Sequence, residues 1–455
     1  MGILRLLLWR LYQRAYGLAF LLLGPFFARR RGFEHYRTTL RGRLARDLGP
    51  PDGVDRLWIH AVSVGEVEVA ATLARALPPD LPIVVTTVTP TGQERARALF
   101  ATRRDAGTAE VAYLPFDLGP TLAIFERRFR PRAVVLVEGD YWPLMLSRLA
   151  ERGVPVAVVN GRLSDRAFRR QQPLGVVNRL LHAAVWRFGV QTDEDRRRLI
   201  DLGVEASRVT VTGNLKFDTP RPDPRADLGA WLDRLADGRP ILVAGSTMGA
   251  ERAPGTHADE EEPLLDALDK VGSDRALLVL APRHPERFDA VAARLDARGL
   301  TYRRRSRTTL DGEPSPSADA SVDERPDVVL LDSLGELAAV YGLGDGAFIG
   351  GTMVPTGGHN PLEPARWGVP IVVGPSMHNF REMAEHFDTG NAWARATETG
   401  ELAAVWTSWL DEPDAARQLG TRGLQLVERH RGAVDRSVTM LEPLLRAVPP
   451  TSRRS

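Results

Sequence analysis

Two series of short apolar runs, separated by helical patterns, dominate this chain of 455 residues. The first series, which we predict as buried strands, covers residues 57–62, 83–87, 111–114, 133–138, 154–160, 188–191 and 209–213. The second covers residues 241–244, 276–281, 328–331, 347–350 and 370–373. Amphipathic stretches such as residues 66–77 and 193–202 lie between the runs. This alternation is typical of parallel sheets with right-handed crossovers. It predicts an α/β fold of two Rossmann-like domains facing a cleft, with one substrate bound to each domain.

Prolines mark the boundary between the two series. Residues 218–227 contain three of them, which favours an interdomain linker. A polar stretch rich in Ser, Pro and Asp at residues 307–327 predicts a surface loop or a disordered insert. We expect three segments, namely an arm at residues 1–35, a first domain at 36–217 and a second domain at 218–455 that includes the C-terminal helices.

The arm carries most of the basic charge. Residues 1–46 hold ten arginines and one acid, Glu34, whereas the whole chain has a net charge of only +2. An apolar run of 14 residues at 15–28 precedes arginines 29–31, and it is shorter than the roughly 20 residues that span a membrane. The pattern favours an interfacial membrane-anchoring helix on anionic lipid over nucleic-acid binding. A helix packed on the protein's own core is the alternative.

Several kinds of chemistry lack the residues that they need. The chain has no cysteine, which excludes disulfides, thiolate catalysis and Cys-based zinc sites and suits a reducing compartment. There is no Walker A run, no His-Glu-x-x-His and no Gly-x-Ser-x-Gly. Asp193 and Asp195 open a charged helical stretch, and we interpret them as a solvated first turn. No metal site is predicted.

In the first domain, acids follow two of the predicted strands. Glu66 lies in the first turn of a helix after a small-residue turn, where it is either functional or only a partner of the helix dipole. Glu138 and Asp140 follow a strand of Val and Leu, where acids are costly unless they bind something. Asp140 could equally cap the helix that follows. Lys216 is one of only two lysines in an arginine-rich chain, which indicates that a compact ammonium is needed there.

The second domain has three candidate segments at strand ends. Pro282 and Arg283 follow a buried strand, and an arginine there can bind a phosphate through two hydrogen bonds. A second segment comprises Leu334, Gly335 and Glu336. A Gly-rich run at residues 357–363 opens a helix whose N–H groups could receive a phosphate. Its candidate residues are Asn360, Pro361, Leu362 and Glu363, of which Glu363 could bind ribose hydroxyls.

Together these motifs resemble the Kdo transferases, the 3-deoxy-D-manno-octulosonic acid transferases of lipid A biosynthesis. In the first half, the motifs that carry the resemblance are His-Ala-Val-Ser-Val-Gly-Glu at 60–66, Thr-Thr-Val-Thr-Pro-Thr-Gly at 86–92, Tyr-Leu-Pro-Phe-Asp at 113–117, Asn-Gly-Arg-Leu-Ser at 160–164 and Gly-Asn-Leu-Lys-Phe-Asp at 213–218. In the second half, they are Pro-Arg-His-Pro-Glu-Arg at 282–287, Gly-Gly-His-Asn-Pro-Leu-Glu at 357–363 and Gly-Pro at 374–375 with Asn-Phe at 379–380.

The resemblance implies a GT-B fold and transfer of Kdo from CMP-Kdo to a lipid A precursor, lipid IVA, at the cytoplasmic face of the bacterial inner membrane. It implies an acceptor-binding first domain with Glu66 as general base, and Glu138 and Lys216 as stabilisers of the transition state. It implies that the three segments of the second domain contact CMP. CMP-Kdo is then a donor substrate, and neither a cofactor nor a metal is expected.

Two departures from the family pattern leave alternatives open. Where the family usually has Glu-Thr-Glu-Leu-Trp-Pro-Asn, this chain has Asp140 and Leu144 in place of the second Glu and the Asn. The family's Ser-Thr-His-x-Gly-Glu-Glu is interrupted after Thr247, and we interpret residues 248–256 as an insertion before His257 and Glu260. The alternatives are another membrane-associated GT-B nucleotide-sugar enzyme and an inactive lipid- or nucleotide-binding homologue.

Overall fold

A computed structural model describes residues 34–449 apart from 224, 250–258 and 308–324, together with Tyr12, Ala15, Gly17, Leu18 and Leu22. The chain divides into two compact units. The first comprises Met1–Thr219 with His430–Ser455, and the second comprises Pro220–Arg429.

The first unit is built on seven strands. They are β1 Arg56–His60, β2 Ile83–Thr87, β3 Ala109–Tyr113, β4 Pro131–Val137, β5 Val156–Gly161, β6 Arg187–Val190 and β7 Val209–Val211. The sheet order is β3-β2-β1-β4-β5-β6-β7, and every pair of neighbours is parallel. All seven predicted strands are confirmed, with ends shifted by at most two residues.

Nine helices precede or connect these strands in the described part of the first unit. They are α1 Glu34–Arg43, α2 Val64–Arg75, α3 Pro90–Leu99, α4 Ala101–Asp105, α5 Gly119–Phe129, α6 Pro143–Glu151, α7 Asp165–Gln171, α8 Gly175–Ala183 and α9 Asp193–Asp201. Successive side chains of a strand point to opposite faces of the sheet, and helices cover both faces. Side chains on both faces are therefore buried. Leu57 and Ile59 of β1 belong to one core cluster and Trp58 to the other.

The second unit repeats the architecture. Its strands are β8 Ile241–Thr247, β9 Leu277–Pro282, β10 Tyr302–Arg304, β11 Val328–Leu330, β12 Gly346–Ile349, β13 Ile371–Val373 and β14 Ala394–Arg395. They form a parallel sheet in the order β10-β11-β9-β8-β12-β13-β14. The five predicted strands are confirmed. The two that the prediction missed, β10 and β14, are the edge strands, and they are short and only partly apolar.

Eight helices are described in the second unit. They are α10 Ala226–Ala236, α11 Glu261–Val271, α12 Phe288–Ala297, α13 Leu337–Val340, α14 Leu362–Ala365, α15 Arg381–Thr389, α16 Thr399–Asp411 and α17 Pro413–Arg429. A core of apolar side chains from β8, β9, β11 and β12 packs against α11, α12 and α16. The fold class predicted from the sequence is therefore confirmed.

The last helix, α18 (Ala433–Leu445), belongs to the first unit, and the expected second domain of residues 218–455 was wrong in this respect. Ala433, Val434, Leu441 and Leu444 of α18 are buried in the core of the first unit. The carboxylate of Asp218 also accepts hydrogen bonds from Gly432 N at 2.7 Å and Val434 N at 2.6 Å. These contacts hold the returning chain on the first unit.

Most of the predicted anchor, residues 1–35, lies outside the described residues. Tyr12 packs against the core of the first unit, and its hydroxyl donates to Asp117 Oδ2 at 3.1 Å. Leu18 and Leu22 are exposed. Tyr12 thus agrees with the alternative in which this segment packs on the protein's own core, whereas the two leucines are exposed and can contact another surface. In the part of the chain that the structure describes, none of the helices is long and apolar enough to cross a membrane.

Candidate active site

Glu66 lies where β1 turns into α2. Ser63 is the N-cap of α2 in an extended conformation, which makes Glu66 the third residue of the helix. Val62 N donates to Glu66 Oε2 at 2.8 Å, and the Ser63 hydroxyl donates to Oε1 at 3.0 Å. The half-buried carboxylate is therefore held against the turn at the end of β1.

The surroundings of Glu66 favour its protonated form. Burial raises the pKa of the Glu66 carboxyl, and the negative charge of Glu138 raises it further. The hydrogen bonds from Val62 and Ser63 and the charge of His60 oppose this shift without cancelling it. A carboxylate whose pKa lies closer to neutrality is a better general base, because it takes up a proton more readily.

Glu138 and Lys216 form an ion pair in the same unit. Lys216 Nζ lies 3.2 Å from Glu138 Oε1, and both side chains are about one-quarter exposed. Glu138 follows β4 directly and has a left-handed backbone with φ 59°. Such a conformation is unfavourable for a residue with a side chain and is concentrated at functional sites. The structure therefore brings together two of the three residues predicted to act in catalysis, and the charge of Glu138 acts on the pKa of Glu66.

Asn160 positions this pair, although the sequence prediction gave it no role. It lies near the end of β5 at a break in the β5–β6 register, is fully buried and has φ 55°. Its Nδ2 donates to Glu138 Oε1 at 3.2 Å, and its Oδ1 accepts from Leu215 N at 2.9 Å. One amide thus connects Glu138 to the segment that carries Lys216. The signals in the sequence are the Asn-Gly pair at the end of a buried strand and the family motif at residues 160–164 that begins with it.

Two further amides extend this network. Gln191 Nε2 donates to Asn160 O at 3.0 Å, and Asn214 Nδ2 donates to Gln191 Oε1 at 3.2 Å. Asn214 Oδ1 then accepts from Lys216 N at 3.1 Å. All three amide side chains are buried. Because buried polar groups gain from full hydrogen bonding, the network fixes the backbone on both sides of Lys216.

Asp140 is held by a buried histidine. His60 Nε2 lies 3.3 Å from Asp140 Oδ2, and Trp142 Nε1 donates to the same oxygen at 2.7 Å. On the other side of the ring, His60 Nδ1 lies 2.9 Å from Thr86 Oγ1, which accepts from Trp58 Nε1 at 2.8 Å. Nδ1 also lies 3.2 Å from the carbonyl oxygen of Thr86, so both ring nitrogens face oxygen atoms and His60 connects β2 to Asp140.

This partner set corrects one interpretation of Asp140. It does not cap the following helix, because Asp117 does so by accepting from Leu144 N at 2.9 Å and Met145 N at 2.8 Å. Burial raises the pKa of the Asp140 carboxyl, but the hydrogen bond and the charge of His60, with the bond from Trp142, outweigh it and hold the pKa below its usual range. Leu144, where the family usually has an amide, is buried in the core.

These side chains share one edge of the first sheet. His60 ends β1, while Glu138 and Asp140 follow β4, and β1 and β4 are the neighbours at which the strand order reverses. In open parallel sheets, ligands bind beyond the carboxyl ends of the strands at this switch point. The position supports a ligand site at Glu66, Glu138 and Asp140.

The equivalent switch point of the second sheet lies between β8 and β12, and a buried glutamate occupies it. Glu260 accepts four backbone hydrogen bonds, from Met248 N at 2.9 Å, Gly351 N at 2.6 Å, and Thr352 N and Met353 N at 2.9 Å each. One carboxylate therefore joins the loops after the two central strands. The interpretation that Glu260 resumes the interrupted family motif fits this position, whereas His257 lies outside the described residues.

Glu261 supports the same corner of the second unit. Its carboxylate binds Arg287 Nη1 at 2.6 Å and accepts from Thr247 Oγ1 at 2.8 Å, and both charged side chains are buried. Arg287 belongs to the segment that follows β9. The pair thus ties the ends of β8 and β9 to α11.

The predicted nucleotide-contacting residues lie beyond the carboxyl ends of β9, β11 and β12, which are close neighbours in the sheet. Pro282 is buried at the end of β9, and Arg283 is exposed with its N–H on Thr247 O at 3.0 Å. After β11, Leu334 is 76% exposed and Gly335 has φ 87°. The carboxylate of Glu336 accepts from Arg305 at 3.0 Å.

The Gly-rich segment after β12 is ordered by its own side chains. Asn360 Oδ1 accepts from Leu362 N at 3.1 Å, and its Nδ2 donates to Glu363 Oε1 at 3.3 Å. Pro361 and Leu362 are buried. Burial lowers the pKa of His359 to about 4, and the charge of Arg283 contributes to the shift. The following helix, α14, has only four residues.

The first turn of α9 matches its prediction as a solvated turn at Asp193, which is exposed, but not at Asp195. Asp195 is buried and forms a capping box with Thr192, and its Oδ1 accepts from Leu163 N at 2.8 Å. Its role is therefore structural. Within the described ranges, no group of three or more His, Asp and Glu side chains is arranged to hold a metal ion.

Solved structures share the fold. The UDP-GlcNAc 2-epimerase of Neisseria meningitidis, bound to UDP-GlcNAc, matches 86% of this chain and 100% of its own at a TM-score of 0.54 and 12% identity. Anabaena HepE in complex with UDP matches 86% of this chain and 99% of its own, at a TM-score of 0.52 and 13% identity. Such identities establish the fold alone. With its two parallel seven-stranded sheets, the chain has the GT-B fold of glycosyltransferases.

Curated relatives define the family. A family model described as 3-Deoxy-D-manno-octulosonic-acid transferase (kdotransferase) matches residues 28–219. The 3-deoxy-D-manno-octulosonic acid transferase of Bordetella pertussis is 36% identical over 86% of this chain and 87% of its own length. The 3-deoxy-D-manno-octulosonic acid transferase of Haemophilus influenzae is 32% identical over 89% of this chain and 92% of its own length. The chain belongs to the Kdo transferase family and is a glycosyltransferase.

Proposed function

We propose that the chain transfers Kdo from CMP-Kdo to the lipid A precursor lipid IVA, with Glu66 as the general base. The observation that carries the proposal is the Glu66 carboxylate, which is held by Val62 and Ser63 at the end of β1 and has a raised pKa. Membership of the Kdo transferase family supports Kdo as the sugar that is transferred.

In this mechanism, Glu66 takes the proton of an acceptor hydroxyl while the oxygen of that hydroxyl forms a bond to the anomeric carbon of Kdo. The bond from that carbon to the phosphate oxygen breaks, and CMP leaves with the electron pair. The anomeric carbon carries a carboxylate, and its transition state has oxocarbenium character. Lys216, held by Glu138 at 3.2 Å, would stabilise the sugar carboxylate or the leaving phosphate.

The donor is assigned to the second unit. Pro282 and Arg283, the segment Leu334 to Glu336 and the segment Asn360 to Glu363 lie beyond the ends of neighbouring strands, where a nucleotide binds in this kind of sheet. CMP-Kdo has one phosphate, so the exposed side chain of Arg283 can neutralise it through charge-assisted hydrogen bonds. We therefore propose a reaction without metal or cofactor.

A membrane location at the cytoplasmic face of the bacterial inner membrane follows from a lipid acceptor. The basic, apolar arm of residues 1–35 is proposed as a peripheral or monotopic anchor on anionic lipid. The exposure of Leu18 and Leu22 supports this role.

The test is mass spectrometry of the products formed from CMP-Kdo and a tetraacyl lipid A precursor, in buffer that contains EDTA. We expect Kdo transfer by the full chain. Glu66→Gln should lower kcat by about 10²- to 10⁴-fold, the contribution expected of a general base, and should leave CMP binding intact.

Glu68→Gln is the matched control. Glu68 lies on the same helix but is paired with Arg95, so its loss should leave turnover unchanged. Equal losses in the two variants would contradict the role of Glu66. Tight binding of UDP in place of CMP would contradict the donor, and an absence of turnover with any lipid A precursor would favour the inactive homologue.

A further inference from the structure

The segment from Arg162 through α8 presents an unusual surface on the first unit, which we call the α7–α8 surface. Leu174, Val176 and Val177 lie between and at the start of these helices and are 48%, 49% and 45% exposed. Other large apolar side chains exposed on this unit, such as Leu40 and Ile124, are isolated in sequence. Single exposed apolar residues are ordinary, whereas a contiguous group marks an interaction site.

The surface is strongly basic. Residues 162–183 contain the five arginines 162, 166, 169, 170 and 179 and a single acid, Asp165. All five arginines are exposed. Asp165 binds Arg198 on α9, so its charge is already neutralised. Among the described residues, no ion pair joins any of the five arginines to an acid.

This exposed group belongs to an ordered segment. The turn before α7 is closed by Ser164, whose Oγ accepts from Ala167 N at 3.3 Å. Leu163 N is held by Asp195 of α9 at 2.8 Å. Beyond the turn, buried Asn178 donates to Gln171 O at 2.5 Å and so joins α8 to the end of α7. The segment that carries the exposed apolar side chains is therefore ordered by specific hydrogen bonds.

A cavity of about 180 Å³ lies behind this surface. Ala167 and Gln171 of α7 line one part of it, and Glu138 lines another. Phe188 and Leu199 contribute apolar walls. The surface and the candidate catalytic acid thus border the same space.

We propose that the α7–α8 surface docks on an anionic lipid bilayer, with Leu174, Val176 and Val177 in the headgroup boundary and the arginines on lipid phosphates. Apolar side chains flanked by arginine are the chemistry that binds such an interface. Docking here would place the bilayer beside the cavity that leads to Glu138. The role in acceptor delivery rests on the proposed function, but the docking itself does not require turnover.

The chain has no cysteine, which permits a site-specific test. Val176→Cys in the full chain is labelled with an environment-sensitive fluorophore and mixed with vesicles of phosphatidylglycerol and phosphatidylethanolamine. We expect a blue shift of the emission and protection from an aqueous quencher. Ile124→Cys, at an exposed position on α5, is the control and should show neither effect.

Three outcomes would overturn the proposal. The first is an unchanged spectrum at position 176 while the protein sediments with the vesicles, since the arm alone would then make the contact. The second is an equal response to vesicles of neutral phosphatidylcholine. The third is a shift that grows with protein concentration in the absence of vesicles, because a second copy of the chain would then cover the surface.

The charge component is tested separately. Arg169→Gln with Arg170→Gln should weaken vesicle binding by about fivefold for each arginine, the typical effect of a basic residue near an anionic surface. Arg104→Gln with Arg127→Gln, also exposed, should leave binding unchanged. Equal losses in the two double variants would indicate a general charge effect and overturn the assignment. If the proposed function fails and the fluorescence result holds, the docking surface stands on its own.

Discussion

Replacing Asn160 with Ala is the most informative perturbation of the candidate site. The change removes two hydrogen bonds of the Asn160 side chain. Its oxygen accepts from Leu215 N, and its nitrogen donates to the Glu138 carboxylate. Leu215 N lies in a buried residue, so the loss leaves an unsatisfied donor that costs about 1–3 kcal/mol. The bond to the Glu138 carboxylate contributes about 1.5–3 kcal/mol, nearer the lower value because water can reach this half-buried group.

The backbone adds a third contribution. Asn160 has φ 55°, and Ala tolerates this region less well than Asn, at a cost of about 1 kcal/mol. The three contributions together predict that Asn160→Ala lowers the free energy of unfolding by about 3.5–5.5 kcal/mol. Asn160→Gly should recover about 1 kcal/mol of this loss, since Gly relieves the backbone term alone.

The assay is urea unfolding of the full chain, followed by tryptophan fluorescence and circular dichroism, with kcat for Kdo transfer measured on the same samples. Asn391→Ala is the control, because Asn391 also has a left-handed backbone, with φ 46°, but is exposed. It should lose only the backbone contribution of about 1 kcal/mol. If Asn160→Ala were no more destabilising than Asn391→Ala, the hydrogen-bond argument would be refuted.

Three further predictions follow from the same contacts. Glu138→Gln should move the acidic limb of the pH profile of kcat/KM to lower pH: the charge of Glu138 is one cause of the raised pKa of Glu66, and the base acts only above that pKa. An unmoved limb would contradict this. Arg287→Ala should destabilise the second unit by about 3–5 kcal/mol in urea unfolding because it leaves Glu261 buried without its closest partner, and adding Glu261→Gln should restore part of the loss. Deleting residues 1–30 should lower the membrane-bound fraction in sedimentation, whereas Tyr12→Phe, which removes only the bond to Asp117, should not; an unchanged fraction after the deletion would refute the anchor.

The second unit differs from the first in how its switch point is filled. The backbone N–H groups after β8 and β12 converge on the carboxylate of Glu260, a side chain of the protein itself. These groups are therefore already satisfied and are not available to a phosphate. Neutralisation of a donor phosphate in the proposed mechanism falls instead to side chains such as Arg283, which is exposed beyond the end of β9.

Local pattern was enough to predict the two sheets. β9 is apolar throughout, and β4 is apolar apart from the exposed Arg132, because helices cover both faces of a parallel sheet. Glu66 was likewise accessible from the sequence, since a strand, a small-residue turn and a helix follow one another within ten residues. The edge strands β10 and β14 escaped prediction because an edge position requires fewer apolar side chains.

The tertiary structure decided which residues support the candidate catalytic groups. Asn160 meets Leu215 across 55 positions, His60 meets Asp140 across 80, and Glu260 meets Gly351 across 91. Asp218 likewise retains α18 on the first unit across more than 200 positions. The sequence alone determined twelve of the fourteen described strands, the turn at Glu66 and the family. The partners depended on which strands became neighbours and in what register, and these depend on the packing of the whole unit.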